Sequence, residues 1–155
     1  MNITICKVAP GSALCAELLT FVENSTWAEV KEHTAQVIRE NRFREWEAMF
    51  VALDGDQIVG HASIAKTDYY PLPDLYPWIS TIFVDEKYRG GRGICGLMID
   101  FINRYAKEAG FRQTYIPSAF FGLYEKYGYQ YVKDIVNYGG GIDHLFVKNT
   151  AADET

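Results

Sequence analysis

The sequence contains no apolar run of the roughly 18 residues that a membrane-spanning helix needs. Its first residues, Met1-Asn2-Ile3-Thr4-Ile5, lack the basic and long apolar regions of a signal peptide, so neither a membrane partner nor an export signal is expected there. Cysteine is scarce and odd in number. Cys6, Cys15 and Cys95 show no metal-ligand spacing, so no disulfide framework and no metal are expected, and reduced thiols point to the cytoplasm. Positive charge is not in excess either. A formal net charge of −5 argues against nucleic acid or an anionic membrane as partner, both of which need a basic stripe, and suits a cationic substrate. Internal repeats and low-complexity tracts are missing, as is the Gly-Lys-Ser/Thr of a P-loop.

What is present is globular composition. With 48% hydrophobic and 23% charged residues over 155 positions, the chain can bury one core without staples. One domain is expected over residues 1–148, followed by a frayed C-terminal tail at 149–155. The aromatic share is high, with 11 tyrosines, which suggests aromatic-lined clefts as well as core.

The pattern predicts a strand over Asn2 to Val8, then Pro10-Gly11-Ser12 and a helix carrying Leu14, Leu18, Leu19 and Val22 on one stripe. Thr26-Trp27-Ala28-Glu29 has capping-box form and starts a second helix that runs to about Asn41. Trp46 to Leu53 and Gln57 to Lys66 form a hairpin around Asp54-Gly55-Asp56. A loop rich in Tyr, Asp and Pro, residues 68–77, leads into a fourth strand at Trp78 to Val84. After a glycine turn comes a helix with Ile94, Leu97, Met98, Phe101, Ile102 and Tyr105 on one face. Gln113 to Ile116 is the fifth strand. Ser118 can cap a short helix over Ala119 to Tyr127, with Phe120 and Leu123 as core, before strands at Tyr129 to Ile135 and Ile142 to Lys148. The fold class is a mixed α/β sheet of order β-α-α-β-β-β-α-β-α-β-β. A helix joins the fourth and fifth strands, so these two should be parallel.

Between the fourth strand and its helix lies Arg89-Gly90-Gly91-Arg92-Gly93-Ile94-Cys95. Backbone N–H groups at a helix start lack intrahelical partners and sit at the positive end of the dipole, so this place binds anions. Glycines let the backbone approach a pyrophosphate closely, and Lys87, Arg89 and Arg92 make the turn locally basic in an acidic chain. Gly91-Arg92-Gly93-Ile94-Cys95-Gly96 also matches the G-x-G-x-x-G of dinucleotide sites. Its context differs from theirs: the match lies late in the chain, well beyond the end of its strand, and no acidic residue ends the next strand. A third reading makes the glycines a tight turn and the cations solvated residues.

The run Ile82-Phe83-Val84-Asp85-Glu86-Lys87-Tyr88-Arg89-Gly90-Gly91-Arg92-Gly93-Ile94-Cys95 resembles the acetyl-CoA motif of the GNAT superfamily, the acyl-CoA-dependent N-acetyltransferases. Leu123-Tyr124-Glu125-Lys126-Tyr127-Gly128-Tyr129 is similar to a second signature of that superfamily, and the element order over nearly the whole chain is alike. The resemblance implies a GNAT-like fold whose fourth and fifth strands splay apart, with acetyl-CoA as cosubstrate. It implies cofactor contacts from Ile82, Phe83 and Val84 to the pantetheine arm, from Arg89, Gly90, Gly91, Arg92, Gly93, Ile94 and Cys95 to the pyrophosphate, and from Ser118. Gly90 stands where the family carries Arg or Gln and Cys95 where it carries a small residue. Arg89 is thus one position early, as though a glycine were inserted.

Transfer from a thioester to an amine needs a neutral amine, a stabilised oxyanion and a proton for the leaving thiolate. The resemblance implies Tyr124 as the proton donor, and a phenol with an ordinary pKa of about 10 stays protonated at neutral pH. Backbone N–H groups of the fourth strand would hold the oxyanion. The carboxylate that family members often carry early in that strand is missing, since Trp78-Ile79-Ser80-Thr81 occupies the place. His61, Asp68, Asp74 and an ordered water chain remain as candidate bases. The loop from Tyr69 to Trp78 offers aromatic faces and carboxylates to a cationic amine acceptor, or else packs on the core or on a second copy. The expected function is N-acetylation of a small amine by a monomer or homodimer. A peptide N-acetyltransferase and a non-catalytic acyl-CoA-binding module are the alternatives.

Overall fold

The computed structural model describes residues 2–27, 31–90 and 93–151. In chain order its elements are β1 (Ile3–Val8), α1 (Ala13–Glu23), α2 (Lys31–Arg39), β2 (Ala48–Asp54), β3 (Gln57–Ala65), β4 (Trp78–Val84), α3 (Ile94–Glu108), β5 (Gln113–Ser118), β6 (Gln130–Val136) and β7 (Ile142–Asn149), with 3-10 turns at Glu86–Tyr88 and Glu125–Tyr127. The seven strands form one mixed sheet in the order β1-β2-β3-β4-β5-β7-β6. β4 and β5 are parallel, with Trp78 opposite Tyr115, as the α3 crossover requires. By packing, the chain divides into two compact units, Met1–Ser63 with Thr81–Met98, and Ile64–Ser80 with Ile99–Thr155.

In the first unit, β1 and β2 pair antiparallel from Ile3 opposite Asp54 to Val8 opposite Met49. Ser12 starts α1: its Oγ accepts the Cys15 N–H at 3.1 Å and its hydroxyl donates to the Ala9 carbonyl, which satisfies one of the helix's orphan donors. Leu18 and Val22, four residues apart, therefore point the same way into a core with Val8, Ala35, Ile38, Met49, Val51 and Ile58. β3 is buried from Ile58 through Ile64, the pattern of a strand covered on both faces. Ala28 and Glu29 of the expected capping box lie outside the described residues.

In the second unit, β7 pairs antiparallel with β5, from Gln113 opposite Asn149 to Ser118 opposite His144, and with β6 on its other side. Trp78, Ile135 and Leu145 form a small core, joined by Tyr70, Leu72, Leu75 and Tyr115. Ile135 is the one buried residue of β6, which lies at the end of the strand order.

Three expectations need correction. Ala119 to Tyr127 is not an α-helix, because Gly122 adopts φ 87° and its N–H goes to the Glu125 carboxylate. Without a helix to turn them inward, Phe120 and Leu123 are exposed at 69% and 39%. On α3 the buried stripe is Ile94, Met98, Ile99, Ile102, Asn103 and Ala106, while Leu97 faces out. Buried Asn103 is what shifted that reading, since polarity hid an inward position. The tail is ordered further than expected: Asn149 ends β7, and buried Thr150 donates its N–H to the Arg112 carbonyl at 3.0 Å and its hydroxyl to the Phe111 carbonyl at 2.9 Å. Residues 152–155 lie outside the described ones.

Gly60 fixes how closely β4 lies on β3. A Cβ at this position would stand 2.8 Å from the Phe83 carbonyl oxygen and 3.4 Å from the Met98 methyl. The first obstacle is backbone, which cannot rotate away. Gly60→Ala should lower unfolding free energy by roughly 1–3 kcal/mol, read from the urea midpoint at unchanged m-value.

Candidate active site

The first unit assembles the glycine turn and the half of β4 that leads into it. The Asp85 N–H donates to the Val59 carbonyl at 2.8 Å, on the β3 side. Successive residues of a strand direct their backbone groups to opposite edges, so the N–H and C=O of Val84 face away from β3. Asp85 then caps the 3-10 turn through the Lys87 N–H at 3.1 Å, and the Tyr88 hydroxyl donates to Asp54 Oδ2 at 2.9 Å. These bonds hold the entrance to the turn. Gly90 and Gly93 adopt φ 79° and 72°, the left-handed region where a side chain is strained. Two of the three glycines are thereby explained by backbone geometry; Gly91 lies with Arg92 outside the described residues. α3 starts at Ile94, with Leu97 N–H on the Gly93 carbonyl at 3.0 Å, so the positive end of its dipole opens onto the turn.

The expected cofactor residues of this unit do not all face alike. Ile82 and Val84 are partly exposed, Arg89 and Gly90 are exposed, Cys95 is partly buried and Ile94 is buried. Phe83 is buried at 7% exposure. Its ring stacks on Trp27 at 5.8 Å and on His61 at 5.6 Å, with Phe21 edge-on at 6.0 Å, so Phe83 has only its backbone to offer a ligand. The Arg89 side chain turns back: Nε donates to the Val84 carbonyl at 2.6 Å, and the guanidinium carbon lies 5.2 Å from the centre of the Phe83 ring.

Thr81 was not foreseen. It has φ 51° in the middle of β4, a conformation that costs a β-branched residue energy and persists only when its surroundings enforce it. Its hydroxyl donates to Ser63 Oγ at 3.0 Å. Backbone strain of this kind leaves no mark in composition or periodicity.

The second unit holds Ser118 and Tyr124. Ser118, 8% exposed, accepts the Phe120 N–H on its Oγ at 3.1 Å. Tyr124 is partly buried, and its carbonyl accepts the N–H of Tyr127 at 2.9 Å and of Tyr129 at 3.4 Å. Gly128 at φ 94° reverses the chain there. Beyond it, the buried Tyr129 hydroxyl meets the Asn103 amide at 3.0 Å and the Thr114 hydroxyl at 2.7 Å, and Thr114 also donates to Asn103 Oδ1 at 2.7 Å. Buried Lys148 donates to the Tyr127 carbonyl at 2.7 Å. A closed polar network of this kind specifies one geometry. It anchors the turn on which Tyr124 stands.

The loop over residues 68–77 is bound into the second unit. Tyr70 stacks on Trp78 at 5.5 Å and donates its hydroxyl to Asp143 at 2.7 Å; burial and then that carboxylate hold the phenol well above its ordinary pKa. Asp68 accepts the Ser80 hydroxyl and the Tyr69 N–H. Tyr69 and Tyr76 remain exposed at 57% and 41%. Among the described residues, no group of His, Cys, Asp and Glu is placed to hold a metal ion, and no helix is long and apolar enough to cross a membrane.

His61, in the first unit, is 2% exposed and enclosed by Phe83 and Phe21; its Nδ1 has no hydrogen-bond partner among the described residues. Burial lowers its pKa to about 4, against a smaller opposing effect of its hydrogen bond with the Thr81 backbone. The ring is neutral at pH 7. Because the folded-state value lies below the unfolded one, this contribution to stability is present above about pH 6.5 and is lost as the pH falls through about 4. Unfolding free energy should drop by up to about 3 kcal/mol across that window, and the drop should shrink in His61→Phe when both are followed by urea titration.

A family model described as Acetyltransferase (GNAT) domain matches residues 45–131, more than half of the chain. Comparison by sequence with curated proteins returns no match. Among solved structures, an aminoglycoside 6'-acetyltransferase type Ii superimposes with TM-score 0.73 at 18% identity, covering 95% of this chain and 97% of that one. An aminoglycoside 6'-N-acetyltransferase complexed with coenzyme A gives 0.71 at 15% identity over 95% and 97%. A GNAT family acetyltransferase from Elizabethkingia anophelis with acetyl-CoA bound gives 0.62 at 20% identity over 96% and 98%. These identities establish a common fold, and the family model establishes kinship: the chain belongs to the GNAT acetyltransferase family.

Proposed function

We propose that this chain, as one domain, transfers the acetyl group of acetyl-CoA to a primary amine of a small molecule by direct attack in a ternary complex. The observation that carries the reading is a run of features in the first unit: a Val84 carbonyl turned away from β3, which can accept an amide N–H, followed by an anion-binding turn with two left-handed glycines at 90 and 93 and the start of α3. A pantetheine arm has peptide-like amides that can add to a strand edge, and a pyrophosphate suits a glycine turn at a helix N-terminus. The known structures with coenzyme A or acetyl-CoA share this fold. In this reading Ile82 and Val84 hold the arm by their backbone. Arg89, Gly90, Gly91, Arg92, Gly93, Ile94 and Cys95 surround the pyrophosphate, Ser118 lines the cofactor path, and β4 and β5 splay to admit the thioester.

Attack by the amine nitrogen on the thioester carbonyl forms a tetrahedral oxyanion, which backbone N–H groups of β4 stabilise. Collapse expels the CoA thiolate, and the Tyr124 hydroxyl gives it a proton. His61 is a poor base at a pKa of about 4 and deeply buried, and Asp68 already carries two donors. The ammonium proton is therefore assigned to ordered water or to Asp74. Two of the similar structures are aminoglycoside acetyltransferases, and a cationic acceptor agrees with the acidic chain and the exposed Tyr69 and Tyr76. Cys6, Cys15 and Cys95, in no disulfide among the described residues, agree with a cytoplasmic setting.

An amine panel assayed by release of free CoA thiol tests this reading. With the best acceptor, Tyr124→Phe should lower kcat by about 100-fold while acetyl-CoA affinity stays within about twofold. Unchanged turnover removes Tyr124 from the mechanism, and acetyl-CoA binding without transfer to any amine favours a binding module.

A further inference from the structure

The Arg89 side chain does not extend toward the turn. It runs back along β4, where Nε donates to the Val84 carbonyl at 2.6 Å and the guanidinium covers the Phe83 ring at 5.2 Å. Nη1 and Nη2 have no hydrogen bond among the described residues. Two contacts thus park the cation on the backbone oxygen that a pantetheine amide would need. Resting on the acyl-CoA reading above, we propose that Arg89 is a donor-specificity residue: it occupies the Val84 carbonyl until a pyrophosphate draws it away.

The exchange is driven by the difference between two acceptors. A neutral carbonyl engages one N–H of the guanidinium, whereas a phosphate can take two in parallel and carries charge. The cation–π contact with Phe83 is partly solvated, because Arg89 is exposed, and so adds little to the parked state. When the pyrophosphate reaches the turn, Arg89 gains more than it leaves, and Val84 is released to accept the pantetheine N–H. A pantetheine thioester without phosphates must displace Arg89 and offers nothing in return. The chain therefore selects for the nucleotide end of the donor through a residue that touches the arm's own site. Gly90 makes this possible, since at φ 79° it turns the chain immediately after Arg89 and leaves that side chain on the strand side of the turn.

The test needs no acceptor. Calorimetry would compare acetyl-CoA and S-acetylpantetheine binding to the full chain and to Arg89→Ala, with thermal unfolding checking that both proteins fold. The variant should bind acetyl-CoA about tenfold more weakly, having lost a charge-assisted phosphate contact, and S-acetylpantetheine about three- to fivefold more tightly, having lost a competing hydrogen bond. The opposite signs are the signature. Weakening of both ligands by a similar factor, or no gain for S-acetylpantetheine, whether unchanged or undetectable in both proteins, overturns the proposal. A wild-type chain that binds neither thioester overturns the acyl-CoA reading itself and this inference with it.

Discussion

Backbone contact between Gly60 and the Phe83 carbonyl sets the position of β4, and the donor side of the proposed chemistry depends on that strand. A side chain at residue 60 would meet an oxygen at 2.8 Å, so the strand lies as close as it does only because none is there. Phe83 is held from the other direction by Trp27, His61 and Phe21. Aromatic packing of this kind is directional as well as apolar. It leaves the strand little freedom to slide, so the carbonyl of Val84 and the turn beyond it are presented at a fixed place.

The same packing removes His61 from the catalytic candidates. A ring enclosed by two phenylalanines is desolvated, and the protonated form is the one that suffers. What reads in sequence as a possible base is a neutral core residue that braces the strand from behind. In the second unit a comparable division holds: Tyr124 is the residue with a proposed chemical role, while Tyr129, Asn103, Thr114 and Lys148 fix the turn that carries it. Lys148 in particular is buried and donates to the Tyr127 carbonyl, which helps to satisfy a polar group taken out of water.

Much of this is legible in the sequence. The strands with alternating or unbroken apolar runs, the helix after the glycine turn and the parallel β4–β5 pair follow from hydrophobic period and connection length. The glycine turn between β4 and α3 was readable because glycine and charge mark it directly. Elsewhere the signal misled for identifiable reasons. Ser118 and the apolar Phe120 and Leu123 imitate a capped amphipathic helix, yet Gly122 in the left-handed region and the Glu125 carboxylate build a different loop. Asn103 is polar and buried, so the inward stripe of α3 was drawn through Leu97 instead. The φ of Thr81 and the backward course of Arg89 are properties of the folded backbone and have no counterpart in residue type. Tyr129 was read as the end of a signature, and its place in a buried network needed the partners Asn103 and Thr114, which are distant in sequence.

Ligand-dependent stabilisation tests the central claim, an acyl-CoA cradle on β4 and the glycine turn, most directly. A ligand that binds only the folded state raises the unfolding temperature, and the shift grows with the logarithm of its concentration over its Kd. Thermal unfolding in the presence of acetyl-CoA, longer acyl-CoAs or NAD separates the acyl-donor site from the dinucleotide site that the G-x-G-x-x-G spacing imitates. The account predicts a clear upward shift with acetyl-CoA and none with NAD; stabilisation by NAD without stabilisation by any acyl-CoA would contradict it.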